Sequence, residues 1–540
     1  MIVSDVHLGS DIHNQAEQGF GVRSKQVDLD FESFIRHYRT MKPNADRWRL
    51  IIAGDFIDFI GMVIAPEVSG EISIQDLNDE ERAHGLGNGE AHARVKMRKV
   101  AERHHNVMTE LASFIAEGNS VTLVHGNHDL EFHWPGVQEE FREQLWRRVE
   151  IRPESMRPSD VAECDPNEDP KESFNALVTF EPWFFYVQNT IYVEHGHQYD
   201  PYCASEHVMA PFSPKDPKRS WRGFSEVLLR YVVRPTRGMH EHGHENMIAL
   251  DYVRFGLALG VRGAFRLGVR FLYAMLELFR LRRAYFSEAG KALAKEHERR
   301  MALLAKASQI GIERLKALAA LHAPPVTRSI RSILGSVFLD KIALGMAAVM
   351  AMMLVAYFQA RSGHRWAGAA LVLLAWGFLH RHLTKARKVD PGDNLAERAV
   401  KLATLFPAEY IVMGHTHVPV KRKVTEQATY VNLGSWAEEE PQEGRQFVYR
   451  AARTHLVIET REDDPLAARG SFLEWHTEHG IPVEIGTQAR EKEELAKIKA
   501  ALRDIPIESG EVSLKASNAS TGVVRVNASE GSDDASAKVS

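Results

Sequence analysis

Cysteine is scarce: only Cys164 and Cys203 occur in 540 residues, and neither belongs to a Cys-x-x-Cys pair. That excludes a disulfide framework and fits a reducing cytoplasm. An excess of one charge is lacking as well. The 67 basic residues against 72 acidic ones leave a net charge of −5, so the molecule as a whole is no electrostatic trap for nucleic acid. The N-terminus has neither the basic region nor the apolar core of a signal peptide. It opens directly on a first strand, and the shortness of that strand points to a start upstream of Met1. What is abundant is apolar residues, 44% of a chain too long for one ordinary domain.

Up to about residue 202, short apolar runs alternate with amphipathic stretches. The runs Arg49–Ala53, Ser120–Val124 and 190–193 are β-rich, and each stops at a cluster of Gly, His, Asp or Asn. Helical spacing covers 90–117 and ends at Gly118. This alternation predicts an α/β layered domain. From about 205 to 393 the chain reads as helical. Residues 251–286 are apolar and basic, with Arg262, Arg266 and Arg270 four apart on one face. Residues 287–322 continue as a charged amphipathic helix until Pro324-Pro325. Two apolar blocks follow, 342–358 and 366–379. Strand-like sequence returns at 410–413, 429–432 and 446–459. The expected division is a core in two parts, 1–204 and 394–460, around a helical insertion or lid, 205–393, with an apolar hairpin at 342–379. A C-terminal extension, 461–507, and a polar tail without the apolar content to fold, 508–540, complete the chain.

Five clusters carry the chemistry: Asp5-x-His7, Gly54-Asp55-x-x-Asp58, Gly126-Asn127-His128-Asp129, His195-Gly196-His197 and Gly414-His415-x-His417. Taken singly, each reads as a turn or an ordinary surface loop. Together they run in one order, each after a strand, and side chains at the carboxyl ends of parallel strands converge on one crevice. Carboxylates, one amide oxygen and several imidazoles are what a pair of divalent ions needs. A nitrogen and oxygen donor set without thiolate suits Mn, Fe or Zn better than Mg or Cu(I).

This order of motifs resembles the calcineurin-like metallophosphoesterase superfamily, over 1–202 and about 396–459. Asn432-Leu-Gly-Ser435 is similar to the superfamily's closing strand. The resemblance implies a layered β-sandwich flanked by helices, here with a long all-helical insertion. It also implies two divalent metal ions, Mn first, with Fe or Zn as alternatives. One ion would be held by Asp5, His7, Asp55 and His417. The other would be held by Asp55, Asn127, His195 and His415, with Asp55 bridging. His128 would stabilise charge or protonate the leaving oxygen, and Asp129 would orient His128, while Asp58 reads as structural. His195 matches the superfamily's His-Gly, which leaves His197 for substrate. His104 and His105 read as surface residues, and His240, His242 and His244 as a solvated loop.

The two apolar blocks would be about 25 and about 21 Å long as helices, short of a ~30 Å hydrocarbon core. Arg328, Arg331 and Lys341 precede them, Arg381, Lys385, Arg387 and Lys388 follow, and Arg361 and Arg365 lie between. This pattern predicts a re-entrant or interfacial hairpin, with a buried hairpin inside a lid as the alternative. The basic helix reads as a membrane-surface element favouring anionic lipid. Its Arg262, Arg266 and Arg270 would bind substrate phosphate, and Phe255, Leu259, Phe265, Phe271 and Leu272 an acyl chain. In this respect the chain resembles the bacterial UDP-2,3-diacylglucosamine pyrophosphatases. It departs from them in a much longer insertion and in His128, where they commonly carry Arg. The expected function is hydrolysis of a phosphate ester or pyrophosphate of a lipid-linked or acylated substrate. The place would be the cytoplasmic face of the inner membrane, with membrane lipid and no nucleic acid as partner. The alternatives are a soluble phosphodiesterase or phosphatase acting on nucleotide or phosphoprotein, and a non-catalytic scaffold.

Overall fold

The computed structural model describes residues 1–12, 21–41, 47–65, 72–73, 75, 77–150, 169–236, 258–336, 339–358, 365–385, 391–437, 453–459, 469–487 and 490. The chain divides into the units Met1–Gly486 and Thr487–Ser540, and nearly all of the second, with the expected tail, lies outside the described residues.

Among the described residues, twelve strands build the first unit: β1 Ile2–Val3, β2 Arg49–Ala53, β3 Ser120–Val124, β4 Val178–Glu181, β5 Phe185–Val187, β6 Asn189–Val193, β7 Ala408–Met413, β8 Pro419–Lys423, β9 Thr429–Leu433, β10 Thr454–Glu459, β11 Arg469–His476 and β12 Ile481–Glu484. They form a seven-stranded sheet, β12-β11-β10-β1-β2-β3-β4, and a five-stranded sheet, β5-β6-β7-β9-β8. β1 to β4 run parallel, as do β6, β7 and β9, so their carboxyl ends share one edge of each sheet.

The apolar runs are continuous because these strands are buried on both faces. In β2, Ile51 and Ala53 pack with Val124, Ile191, Val193, Val412 and Val431 between the sheets. Leu50 and Ile52 point the other way, into a core with Phe31, Val100, Leu111 and Phe141. Those four residues lie on helices α1 Gly21–Thr40, α2 Glu90–Arg103, α3 His105–Ala116 and α4 Pro135–Glu150. The insertion supplies α5 Gly260–Tyr285, α6 Glu288–Ser308, α7 Ile312–Ala319, α8 Leu339–Phe358 and α9 Arg365–Lys385. The chain re-enters the core through α10 Pro391–Leu405, whose Leu395, Ala399 and Leu402 cover the second sheet with Leu315 and Leu318 of α7.

Several elements depart from the sequence reading. The helix expected over 90–117 breaks at His104, whose backbone leaves helical geometry at φ −102°, ψ 43°. Its side chain is buried rather than at the surface: Nε2 accepts from the Gly9 amide at 2.9 Å and Nδ1 lies 2.7 Å from Asp28 Oδ1. The helix expected over 287–322 is split by Gln309, at φ 59°, and restarts at Gly311. The segment read as a separate extension contributes β11 and β12 to the first sheet, where Trp475 is fully buried. His240, His242, His244, Phe255 and Cys164 lie outside the described residues.

α8 and α9 pack on each other as an antiparallel hairpin. The hairpin leaves Met350, Met353, Leu354, Tyr357, Leu374 and Phe378 exposed, so it is not the buried hairpin of the alternative. Among the described residues, no helix is long and apolar enough to cross a membrane.

Candidate metal centre

The five clusters sit on the turns that leave β1, β2, β3, β6 and β7. Five of their non-glycine residues adopt the left-handed region: Asp5 at φ 54°, His7 at 52°, Asp55 at 54°, His415 at 70° and His417 at 57°. Such backbone costs an L-residue roughly 1–3 kcal/mol and persists only where the surroundings fix it. Here they do. The Asp5 amide donates to Gly54 O at 3.2 Å, the His7 amide to Asp55 O at 3.0 Å, and the Trp436 amide to Asp5 O at 3.0 Å. Glycine is required where the turns touch. A Cβ on Gly414 would collide with Ser4 Oγ and the Asp5 carboxylate, and one on Gly126 with that of Asp55.

These turns gather two groups of ligand-type atoms. In the first, Asp5 Oδ1 lies 3.2 Å from His417 Nε2 and 3.8 Å from His7 Nε2, and the two imidazole nitrogens are 3.3 Å apart. In the second, His195 Nε2 lies 3.1 Å from both Asp55 Oδ2 and Asn127 Oδ1. Asp55 Oδ2 is also 3.9 Å from His7 Nε2, which places this carboxylate between the groups. His415 stands beside the second group, its ring 5.4 Å from that of His195.

A divalent ion fits each group. Asp5 Oδ1 is buried and receives no hydrogen bond of good geometry although two imidazoles face it, the spacing of ligands around a common centre. Burial would raise the pKa of Asp5 and Asp55, but His195 and the neighbouring histidines outweigh it and hold both carboxyls well below the usual range. Burial likewise would lower His195, yet Asp55 and Asp5 push it up to about 9. The centre thus demands positive charge, which metal ions supply in place of protons.

The remaining site residues are placed as follows. His128 donates from Nδ1 to Asp58 Oδ1, 2.7 Å away, and stands edge-on to the His7 ring at 4.7 Å. Asp58, not Asp129, is therefore the carboxylate on His128. Asp129 accepts instead from the Phe56 amide at 2.9 Å and the Gly126 amide at 2.6 Å, which ties the β2 turn to the β3 turn. Burial and the Asp55 charge push Asp129 up to about 7. In Asp58, burial acts upward, but the His128 charge and hydrogen bond hold the carboxyl well below the usual range.

His197 is buried and lines, with His125, His133, Trp183 and Glu194, a cavity with room for about one water molecule. Arg262 and Arg266 are exposed on α5, and Arg270 donates to Thr236 Oγ1 at 3.0 Å, so no described contact brings the three to the ligands. Sequence reasoning also missed Ser4, whose hydroxyl is within 2.5 Å of Asp5 Oδ2, and Asp200, whose Oδ2 is 3.1 Å from His415 Nε2. The Asp58 signal was present in its own motif; Asp200 follows the His195 cluster by sequence but carries no recognisable spacing.

Residues 1–263 match the family model of the calcineurin-like phosphoesterases. The chain carries a calcineurin-like phosphoesterase domain. No curated protein matches it significantly. The protein is thus a metal-dependent phosphoesterase, and the match covers every ligand candidate up to His195. His415 and His417 of the phosphoesterase lie beyond the matched residues and join the others through β7, which pairs parallel with β6.

Proposed function

We propose that this phosphoesterase hydrolyses a phosphate ester or pyrophosphate of a lipid-linked or acylated substrate at the cytoplasmic face of the inner membrane, with manganese as its preferred metal. The observation that carries the reading is the exposed apolar surface of an insertion rooted beside the metal ligands. Besides the α8–α9 hairpin, α5 exposes Val261, Phe265, Val269, Leu272 and Leu276 along one stripe, with Arg262 and Arg266 beside it. A basic helix with an exposed apolar stripe suits the boundary of an anionic lipid surface, where each cation contributes about 1 kcal/mol. In this role the arginines meet headgroups rather than the reacting phosphate.

Asp5, His7, Asp55 and His417 would hold one ion, and Asp55, Asn127, His195 and His415 the other. Bound there, divalent ions activate water and neutralise charge on the phosphoryl oxygens. The chain's residues then do the rest. The strained turns fix the ligand geometry in advance. His128, steered by Asp58 at the rim of the first group, delivers a proton to the leaving oxygen as its bond to phosphorus breaks and the water oxygen bonds in its place.

The test compares an acylated sugar nucleotide or phospholipid with its deacylated analogue, below KM, with Mn and detergent present. Burying four methylenes at about 0.8 kcal/mol each favours the acylated form by ~3 kcal/mol, or roughly a hundredfold in kcat/KM. Equal rates would sink the lipid reading and favour a soluble nucleotide or phosphoprotein ester.

A further inference from the structure

We infer that Asp200 is the positioning residue of His415: it fixes the tautomer in which Nδ1 is free for the second metal, and it ties the root of the helical insertion to that site. The inference rests on the reading of His415 as a ligand. Asp200 Oδ2 lies 3.1 Å from His415 Nε2, while Oδ1 accepts from the Tyr202 amide at 2.9 Å. A carboxylate only accepts, so the imidazole nitrogen facing it carries the hydrogen and the other nitrogen keeps its lone pair. His417, two residues on, instead turns Nε2 to the first group. The neighbouring ligands of one motif thus present different nitrogens, and for the first the Asp200 carboxylate sets the tautomer.

The segment that carries Asp200 is held from several points of the insertion. The amides of Ala323 and Val326 donate to Gln198 O at 2.8 Å and Pro201 O at 2.9 Å. Asn394 Nδ2 donates to Tyr199 O at 2.8 Å, and Ser225 Oγ to Tyr202 O at 3.0 Å. A shift of the insertion's root is therefore delivered to His415 through one carboxylate. Cys203 offers a competing arrangement, because its sulfur, an Asp200 oxygen and a His415 nitrogen lie within 4.8 Å of one another. In that case Asp200 and Cys203 would bind metal themselves.

The experiment measures Mn and Co binding stoichiometry and affinity on the full chain for Asp200→Asn, Asp200→Ala and His415→Ala. An asparagine that keeps its oxygen on the Tyr202 amide presents its NH2 to His415 and favours the wrong tautomer. The expected result is that Asp200→Asn keeps the first metal and weakens the second about 10–100-fold, at least as much as Asp200→Ala. If Asp200 merely capped the turn, Asp200→Asn would bind like the wild type and Asp200→Ala alone would lose affinity; that outcome overturns the inference. A thiolate-to-cobalt charge-transfer band in the Co-loaded wild type, abolished by Cys203→Ser, overturns it in favour of direct ligation. Two metals retained in His415→Ala would instead refute the ligand assignment beneath it.

Discussion

Replacing Asp58 separates the role of His128 from that of the metal ligands. In Asp58→Asn the amide oxygen can still meet both His128 Nδ1 and the Gly61 amide, which now share Asp58 Oδ1 at 2.7 and 2.5 Å. What disappears is the charge. A hydrogen bond to an ionised partner contributes about 1.5–3 kcal/mol and a neutral one about 0.5–1.5, so the loss is ~1–1.5 kcal/mol. That corresponds to roughly tenfold in turnover if His128 must be held for proton delivery. Asp58→Ala removes both contributions and should cost on the order of a hundredfold. The assay pairs an ester with an acidic leaving group, which departs without help, and one with a basic leaving group, which needs the proton. Both variants should retain two metals and lose rate chiefly on the basic leaving group. Equal losses on the two esters, or loss of metal in Asp58→Asn, would refute the argument. Asp129→Asn provides the contrast: it sets an NH2 against the Phe56 or Gly126 amide and should lower stability by about 1–3 kcal/mol.

Three further outcomes are expected. Asp55→Ala should abolish turnover and most bound metal, as read by metal analysis, because its carboxylate stands between both groups; Gly414→Ala should act similarly by displacing Asp5. Glu in place of Leu354 and Leu374, both more than half exposed, should release the protein from anionic vesicles in a flotation assay without changing hydrolysis of a small soluble ester. Burial depresses the pKa of His322 and His455 to about 3, so both rings stay neutral in the native state while the unfolded chain takes up protons near pH 6.5. Stability is then fully present above about pH 6.5 and falls on acidification by up to ~1.4 kcal/mol per pH unit for each ring, which denaturation midpoints at pH 7 and 5 would read. A flat profile would show that neither ring resists protonation.

The ligand turns were legible because the chemistry that binds metal is local to each turn: Asp, Asn or His just after a strand, preceded in three of the five by glycine. Strand topology then assembles the turns without further sequence signal. What escaped was everything decided across the fold. Asp129 adjoins His128 in sequence and Asp58 belongs to another motif, yet the register of the turns gives His128 to Asp58 and leaves Asp129 on two backbone amides. His104 lies in a helical pattern and looks exposed, but the helix breaks there so that its ring can brace Gly9. β11 and β12 were missed because they pair antiparallel at the edge of a sheet and carry many half-exposed residues, so no apolar run announces them. Arg262 and Arg266 have the spacing of a phosphate clamp, but they lie exposed on α5 with no described contact to the metal ligands.

The position of β1 bears on how the protein is made. This strand of two residues lies between β2 and β10, with Ile2 paired to Ile51 on one side and to Leu456 on the other. At about 5–20 residues per second, a ribosome needs tens of seconds after β1 emerges before it delivers β10. Throughout that interval the growing sheet has an open edge, a template for wrong pairing. Asp5 and Asp55 are already together, but His415 and His417 are still unmade. The nascent chain therefore holds two crowded carboxylates with half of their imidazoles missing, and the apolar hairpin emerges before the core can close. Synthesis of this protein should depend on a chaperone or a membrane surface to shield the hairpin until the last strands arrive, and fragments ending within the insertion should aggregate rather than fold.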